Sequence, residues 1–156
     1  MAAAVRIRIQ EADFDLAAEH AWLAASGAGA VVTFTGLVRE FDRDLEGRVE
    51  GLFLQHYPGM TERLLGEVVE EACRRWPLCA VVVIHRVGRL APGERIVLVG
   101  VAAHHRAPAF AAAALLMDYL KTRATFWKRT DTDRGSRWLD LHDEDRRAAA
   151  RWEEPW

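Results

Sequence analysis

The sequence predicts an α+β fold with a mixed sheet, and three observations support this prediction. Segments with the alternation of strands and segments with the periodicity of helices are interleaved along the chain. A Pro92-Gly93 turn between two apolar segments indicates an antiparallel hairpin, which argues against a purely parallel sheet. Hydrophobic residues make up 51% of the chain and charged residues 28%, so we expect a soluble protein with a single domain over residues 1–156.

The first elements are a strand, a helix and a second strand. Residues 5–10 alternate between apolar and polar side chains, which predicts a half-buried strand. Asp13 or Asp15 then suits the N-cap of a helix that runs through Ala25. The Val-rich and Thr-rich segment 30–38 predicts the second strand. The residues available for the inner face of the helix are Leu16, Ala17, His20, Ala21 and Leu23.

The middle of the chain continues this alternation of elements. Residues 40–47 are polar and predict a loop, and the alternating apolar residues of 52–56 predict a third strand. Apolar residues recur at helical spacing over 61–76, and Pro77 ends that helix. The unbroken apolar run 81–84 is typical of a buried strand.

The last third begins with a strand over residues 96–101, which returns after the Pro92-Gly93 turn. Pro108 suits a helix N-terminus, and the alanine-rich segment up to Leu120 strongly favours helix. No regular pattern follows over 124–137. Residues 143–152 predict a final helix.

Overall charge and cysteine content argue against several classes of protein. The formal net charge of −2 gives no reason to expect nucleic acid or a membrane as partner. Cys73 and Cys79 form no CxxC pair and no zinc spacing with histidines, so we expect buried structural thiols, no metal site and a cytoplasmic location.

No apolar run approaches the roughly 18 residues of a membrane helix, and residues 1–4 lack signal-peptide features.

Charge is unevenly distributed towards the C-terminus. Residues 104–137 hold seven arginines and lysines against three aspartates, whereas residues 138–156 hold six acidic residues against three arginines. A basic segment in a near-neutral protein indicates a local anion site rather than a surface for polyanions. A solvated charged face stays open as the alternative, because it is the commoner outcome for a run of charges.

Lys121 and Lys128 are the strongest candidates for chemistry. Lys121 closes a predicted helix, where the helix dipole alone would favour a cation. Lys128 follows after a break, beside bulky aromatic residues. If the chain folds back there, the two ammonium groups share a pocket, where repulsion and desolvation lower a lysine pKa towards the range of proton transfer or nucleophilic attack. Phe126, Trp127 and Trp138 are expected in the core, with the wall of a heterocycle site as the alternative.

Two further places are candidate anion contacts. His105-Arg106 lies between a strand and the following helix, where backbone N–H groups and the helix dipole favour phosphate. The same context fits a partly buried pair, His104 and His105, bonded to the backbone. Arg39 ends the second strand, where its guanidinium group either binds an anion or is simply solvated. Gly36 within that strand indicates a bulge or the close approach of another backbone.

Eight short motifs follow one another between residues 30 and 138. They are AVVTFTG at 30–36, VR at 38–39, HYPGMT at 56–61, VIHRVG at 83–88, VGV at 99–101, HR at 105–106, MDYLKTR at 117–123 and FWK at 126–128. In this order and spacing, they resemble the large, catalytic subunits of molybdopterin synthases, the MoaE family. No single motif decides this, but the ordered set is very specific.

This resemblance implies an α/β hammerhead-type fold and a homodimer. Each subunit would bind a small ubiquitin-like sulfur carrier, giving a heterotetramer, and the carrier's C-terminal Gly-Gly thiocarboxylate would enter the active site. The implied substrate is cyclic pyranopterin monophosphate, which receives two sulfur atoms and becomes molybdopterin with its dithiolene. No bound cofactor is implied. No catalytic cysteine is needed, because the sulfur arrives on the carrier.

Carried over by position, the resemblance implies that Lys121 is the central catalytic lysine and that Lys128 assists it. Lys121 would handle protons or stabilise a charged intermediate. The family builds its pocket near the dimer interface, so some substrate-binding residues are expected to serve the neighbouring subunit. The implied substrate-binding residues are Phe34, Leu37, Val38, Arg39, His105, Arg106, Arg129, Thr130 and Arg137.

Thr130 departs from the family, which often has a glutamate there that would orient Lys128 or accept a proton. Asp131 is a shorter substitute, one position later. Two other functions stay open beside catalysis. One is a non-catalytic homologue that binds a phosphate-bearing ligand or the carrier tail. The other is a single-stranded RNA binder using Arg123, Lys128 and Arg129 with stacking aromatics, against which the near-zero net charge counts.

Overall fold

The computed structural model describes residues 2–139 and 143–153, which form eight strands and four helices. The strands are β1 (Ala4–Gln10), β2 (Ala30–Leu37), β3 (Val49–His56), β4 (Leu78–Arg86), β5 (Gly88–Leu90), β6 (Arg95–Ala103), β7 (Phe126–Thr132) and β8 (Gly135–Leu139). The helices are α1 (Leu16–Ala24), α2 (Met60–Arg75), α3 (Arg106–Arg123) and α4 (Asp143–Ala150).

The strands form two four-stranded sheets. The first has the order β1-β4-β6-β2, in which β1 and β4 run parallel and the other neighbours are antiparallel. The second has the order β5-β3-β7-β8 and is antiparallel throughout. The predicted α+β class with a mixed sheet is therefore confirmed.

The first sheet is covered on both faces, which explains why its central strand β4 is an unbroken apolar run. Val81 and Val83 pack in the core formed with α2 and α3. Val82 and Ile84 alternate with them and pack in a second core with Leu23 of α1. All five side chains are at most 1% exposed, so this sheet is a rigid base for what lies at its edge.

Helix boundaries follow the predicted capping signals. Asp15, rather than Asp13, caps α1, and its carboxylate accepts the N–H of Ala18 at 3.0 Å. Pro108 lies in the first turn of α3, where its missing N–H costs no helical hydrogen bond. Pro77 directly follows the C-cap of α2, which agrees with the prediction that it ends this helix.

The inner face of α1 differs from the predicted one. Leu23 is buried as expected, but the polar residue Glu19 is buried beside it. Arg6 and Arg8 of β1 pair with the Glu19 carboxylate at 3.3 and 3.2 Å, and this compensates for the loss of water around the charge. The helix is therefore rotated relative to the prediction. The predicted inner residues that are exposed instead are Ala17, His20 and Ala21.

Strand β7 occupies a segment for which the sequence predicts no regular structure, and that expectation is wrong. β7 pairs antiparallel with β3 on one side and β8 on the other, so its backbone groups have partners despite its polar side chains. Residues 49–56 and 126–132 are far apart in sequence. A local pattern cannot reveal such a pairing, because strand preference depends on the neighbouring strands.

The Pro92-Gly93 turn joins the two sheets. β6 returns antiparallel to β4, as the hairpin prediction requires. Between these two strands, however, the chain adds β5 to the second sheet, where it pairs with β3. The turn therefore carries the chain from one sheet to the other instead of closing a simple hairpin.

Cys73 and Cys79 are free thiols, and both are half-buried rather than fully buried as expected. Each packs at the edge of an apolar core, and the Cys79 thiol lies 3.8 Å from Nε2 of His104. Among the described helices, none is long and apolar enough to cross a membrane.

We expect Gly100→Ala to lower the free energy of unfolding by about 1–3 kcal/mol through overpacking. A Cβ at Gly100 would lie 2.5 Å from Cδ1 of Leu23 and 2.8 Å from Cγ1 of Val82. Both side chains are fully buried, so they cannot move aside without disturbing the core. Gly66→Ala is the control, since a Cβ there meets nothing within 4 Å. Urea denaturation should show the control stabilised by about 0.5–1 kcal/mol. Equal stability of the two variants would contradict this packing.

Candidate active site

A cavity of about 610 Å³ opens where the two sheets meet the C-terminal end of α3. Its walls come from the end of β2 and the following loop, from β3, β7, the start of β6 and the last turns of α3, and from single residues of β4, β8 and α4. Val49, Leu52 and Leu54 of β3 supply apolar surface and belong to a small core between the sheets. The charged groups on its walls are Arg39, Asp42, Lys121, Lys128 and Asp145.

Lys121 and Lys128 both line this cavity, as the fold-back hypothesis requires. They are the only lysines in the chain, in which every other basic residue apart from histidine is an arginine. This distribution is chemically informative, because a lysine can lose its proton near neutral pH when perturbed and an arginine cannot. Among the described residues, no carboxylate lies within ion-pair distance of either ammonium group.

The reversal between the two lysines is held in place by a buried threonine. Thr61, in the first turn of α2, has no exposed surface. Its hydroxyl lies 2.7 Å from Oγ1 of Thr125 and donates to the Thr125 carbonyl at 3.1 Å. Thr125 is the second of the two residues between α3 and β7, so these bonds fix the point at which the chain turns back from Lys121 towards Lys128.

Alternation along β7 sorts its side chains into two faces. Phe126, Lys128 and Thr130 line the cavity, whereas Trp127 and Arg129 between them do not. Phe126 is half-buried, but Trp127 is 49% exposed, so the expectation that Trp127 lies in the core is wrong.

Lys128 is half-buried, and its electrostatic environment is unusual for a lysine. Burial lowers the pKa of Lys128 below its ordinary value, and the positive charges of Lys121 and Arg39 lower it further. Asp42 and Asp145 act in the opposite direction. A lysine in this environment is suited to hold or release a proton during a reaction.

The end of β2 provides the remaining predicted residues on this wall. The pairing of β2 with β6 shifts register between Gly36 and Leu37, which agrees with the bulge, one of the two alternatives predicted for Gly36. Val38 is buried and tied to the Pro92-Gly93 turn by two backbone hydrogen bonds, at 2.8 and 2.9 Å. Phe34, Leu37, Val38 and Arg39 all line the cavity.

His85 also lines the cavity, and sequence reasoning did not single it out. The imidazole is 5% exposed and stacks on the Phe126 ring at 3.8 Å between centroids. Its Nδ1 donates to the Arg86 carbonyl at 2.8 Å, which leaves Nε2 as an acceptor in the neutral ring. Burial lowers the pKa of His85 to about 4, with smaller contributions from Lys121 and His56. The ring is therefore neutral at physiological pH.

Thr130 sits in the cavity wall with an unsatisfied hydroxyl. The residue is 2% exposed, and its Oγ1 is the one buried side-chain oxygen or nitrogen without a hydrogen-bond partner among residues 2–139 and 143–153. Leaving such a group unpaired costs about 1–3 kcal/mol, which a bound polar group would recover. This geometry is compatible with the predicted contact between Thr130 and substrate.

His105 and Arg106 lie outside this cavity. Both are exposed at the start of α3, where His105 is the N-cap residue but makes no side-chain capping bond. His104 is exposed as well, so the alternative of a partly buried histidine pair is wrong. The structure of one chain does not bring these residues to Lys121.

Neither Arg129 nor Arg137 lines the cavity. Arg129 is on the opposite face of β7, bonded to the Asp131 carboxylate at 2.9 and 3.3 Å and lying over the ring of Phe53. Trp138 on β8 lies opposite Arg129 and is 51% exposed. The expectation that Trp138 lies in the core is therefore wrong. Arg137 is exposed beside a separate cleft of about 240 Å³.

The described residues contain no group of three or more His, Cys, Asp or Glu arranged to hold a metal ion. Neither Cys73 nor Cys79 lines the cavity. What the cavity offers is an apolar floor, an aromatic wall, three cationic groups and several polar atoms that are open to a ligand. Such a site suits a flat, anionic molecule and proton transfer to or from it.

Comparison with known proteins is consistent across sequence and structure. The family described as MoaE protein matches residues 9–123. The molybdopterin synthase catalytic subunit of Vibrio cholerae is 54% identical over 149 residues, covering 95% of this chain and 98% of that protein. The subunit of the same name from Salmonella typhimurium is 53% identical, covering 94% and 97%. A solved structure titled molybdopterin biosynthesis MoaE protein, from Burkholderia ambifaria, superposes with a TM-score of 0.80 at 48% identity, covering 99% of this chain and all of that one.

The depressed pKa of His85 predicts a pH-dependent loss of stability. An unfolded histidine titrates near 6.5, so between pH 6.5 and about 4 only the unfolded state takes up the proton. The free energy of unfolding should therefore fall by up to about 3 kcal/mol over this range, and this loss should be absent in His85→Asn.

The test is urea denaturation of both proteins from pH 7 to pH 4. His20→Asn is the control, because His20 is exposed on α1, and it should retain the wild-type pH dependence. An identical pH dependence in wild type and His85→Asn would contradict the neutral, buried state of His85.

Proposed function

The chain belongs to the MoaE protein family, and we propose that its cavity is the active site of a molybdopterin synthase catalytic subunit. In this reaction, sulfur from the thiocarboxylated C-terminus of a small ubiquitin-like carrier passes to cyclic pyranopterin monophosphate, which becomes the dithiolene of molybdopterin. The observation that carries the proposal is the placement of the chain's two lysines in one cavity with an apolar floor.

The cavity has the chemical character that this substrate requires. A pterin is flat and partly apolar, so it suits a site with Phe34 and Phe126 on its walls and aliphatic side chains on its floor. The substrate phosphate and the carrier tail are both anionic, which suits Arg39 and the two lysines. Thr130 adds a buried hydroxyl able to bond a polar group of the substrate.

The position of the cysteines supports a separate sulfur donor. Cys73 and Cys79 lie outside the cavity, so neither thiol can deliver sulfur to a molecule bound there. The sulfur must then arrive on another molecule, which is the role proposed for the carrier. A flexible peptide tail that ends in a thiocarboxylate has the charge and slenderness needed to enter this opening.

Within this scheme, Lys121 and Lys128 have different tasks. Lys121 lies exposed at the end of α3. There it can stabilise the negative charge that develops on the carrier's carbonyl oxygen when water cleaves the acyl–sulfur bond, which releases the carrier as a carboxylate and leaves its sulfur on the pterin. Lys128 is half-buried with a lowered pKa, and this suits it to exchange protons with the pterin as carbon–sulfur bonds form. Neither task requires a metal or a bound cofactor.

A homodimer accounts for the predicted residues that lie outside the cavity. His105, Arg106 and Arg137 are exposed, and an exposed cation is available to a neighbouring subunit's site. We propose that some of them complete the phosphate site across a dimer interface, within a heterotetramer of two catalytic subunits and two carriers. Arg129 is held by Asp131 on the outer face of β7, which favours a supporting role there.

The same proposal covers the organisation and location of the protein. We propose that residues 1–156 act as one domain, because both sheets contribute to the proposed active-site cavity. The half-buried free thiols suit the reducing cytoplasm, where disulfides are rare.

The direct test is sulfur transfer in vitro. Wild-type protein, thiocarboxylated carrier and cyclic pyranopterin monophosphate should yield molybdopterin, followed as its fluorescent oxidation product. Lys121→Ala should lower turnover by on the order of a hundredfold or more, because it removes a group that acts in the transition state. Lys121→Arg keeps the charge but cannot release a proton, so it separates electrostatic stabilisation from proton transfer.

Arg63→Ala is the control, since Arg63 is exposed on α2 and does not line the cavity. It should leave turnover unchanged, and every variant should still bind the carrier. Absence of product from wild type, despite a demonstrated complex with its carrier, would favour the non-catalytic homologue and direct attention to Thr130.

A further inference from the structure

The cavity contains an acidic residue that an anion-binding site does not by itself explain. Asp42 lies in the loop between β2 and β3, lines the cavity and is 8% exposed. A negative charge there repels a phosphate or a thiocarboxylate. Burying a carboxylate also costs free energy, so its position calls for a compensating partner.

The Asp42 carboxylate is held firmly but is not neutralised. One oxygen, Oδ1, accepts the N–H of Asp44 at 3.0 Å, and the Asp42 carbonyl accepts the N–H of Leu45 at 3.1 Å. Among the described residues, no arginine or lysine lies within ion-pair distance of it. The Asp42 carboxylate can therefore accept further hydrogen bonds from a group that enters the cavity.

The loop around Asp42 is anchored at both ends. The N–H of Val49 donates to the Glu40 carbonyl at 2.8 Å, closing the base of the loop. At the C-terminal end of the loop, the N–H of Arg48 donates to the Asp133 carboxylate at 2.8 Å, which ties the loop to the β7–β8 turn. The carboxylate is consequently presented from a fixed backbone rather than from a free surface loop.

Lys128 is a cation of the same cavity on which Asp42 acts. Both side chains line the same cavity. The negative charge of Asp42 raises the pKa of Lys128, and its effect is larger than that of Asp145. A lysine has a four-carbon stem with several rotatable bonds, so its ammonium group can move by a few ångströms at low cost. Lys121 and Arg39 repel this ammonium, and the half-buried Asp145 of α4 attracts it.

We propose that Asp42 is a positioning residue for Lys128, holding its ammonium protonated and directed into the cavity until an anionic substrate competes for it. The proposal deepens the function given above and rests on it for the identity of the substrate. Asp42 does not itself touch the reacting atoms. It acts through Lys128.

The test measures Lys128 directly and does not require turnover. Protein labelled with 13C at the lysine Cε carbons gives only two signals, because the chain has only two lysines. Lys128→Arg assigns them by removing one. Asp42→Asn should shift the Lys128 titration to lower pH by about 1 unit, because an attractive charge has been lost. Asp44→Asn removes an exposed acid from the same loop and should shift it little.

A second measurement links this shift to turnover. The limb of the pH–kcat profile that depends on Lys128 should move in Asp42→Asn in the same direction as the NMR titration, and Asp42→Glu should move it back towards wild type. A purely structural role would lower kcat at every pH without moving the limb. A Lys128 titration unchanged in Asp42→Asn, or one that responds only to Asp145→Asn, would overturn the proposal. Because the NMR titration needs no substrate, that outcome is distinct from a failure of wild type to make molybdopterin.

Discussion

Two lysine ammonium groups on the walls of one cavity repel each other, and the rest of the site depends on a fold that holds them there. Lys121 closes a helix and Lys128 lies on a strand, so a sharp reversal of the chain must bring them together. The buried hydroxyl of Thr61 fixes that reversal through Thr125. The energy that opposes the repulsion comes from the packing of α3 on the first sheet and from the pairing of β7 with β3.

The choice of lysine at these two positions is meaningful because the chain otherwise uses arginine. A guanidinium keeps its proton under all physiological conditions and binds anions as a rigid fork, whereas an ammonium responds to its surroundings. Burial and like charge lower the pKa of Lys128 and bring it closer to the range in which protons are exchanged. Arginines serve the surface and the structural ion pairs, such as those of Arg6 and Arg8 with Glu19.

The first sheet contributes mainly to stability, and the second positions side chains of the candidate active site. The first is buried on both faces and holds α1, α2 and α3 in place. The second is antiparallel and turns one face of β7 towards the cavity, which leaves its other face to Arg129 and exposed tryptophans. Because side chains alternate along a strand, a single residue separates a cavity-lining lysine from an arginine held by Asp131 outside. Function is thus set at the edge of a rigid core.

The sequence alone determined the elements whose signal is local. The apolar run of β4, the amphipathic periodicity of α2 and the alanine-rich α3 all follow from spacing and composition. At the cap of α1 and at Gly36 the sequence left two alternatives each, and the structure decided between them. The ordered set of eight motifs indicated the family, and the structure places Lys121 and Lys128, which belong to two of them, in one cavity.

Only the tertiary structure decided what depends on distant partners. The burial of Glu19 required the arginines of β1, and the existence of β7 required β3. The stacked, neutral His85 and the buried carboxylate of Asp42 gave no local signal, because each is defined by groups that other elements bring to it. Periodicity reports how a segment meets water, whereas the environment of a titratable group is set by contacts between segments far apart in the chain.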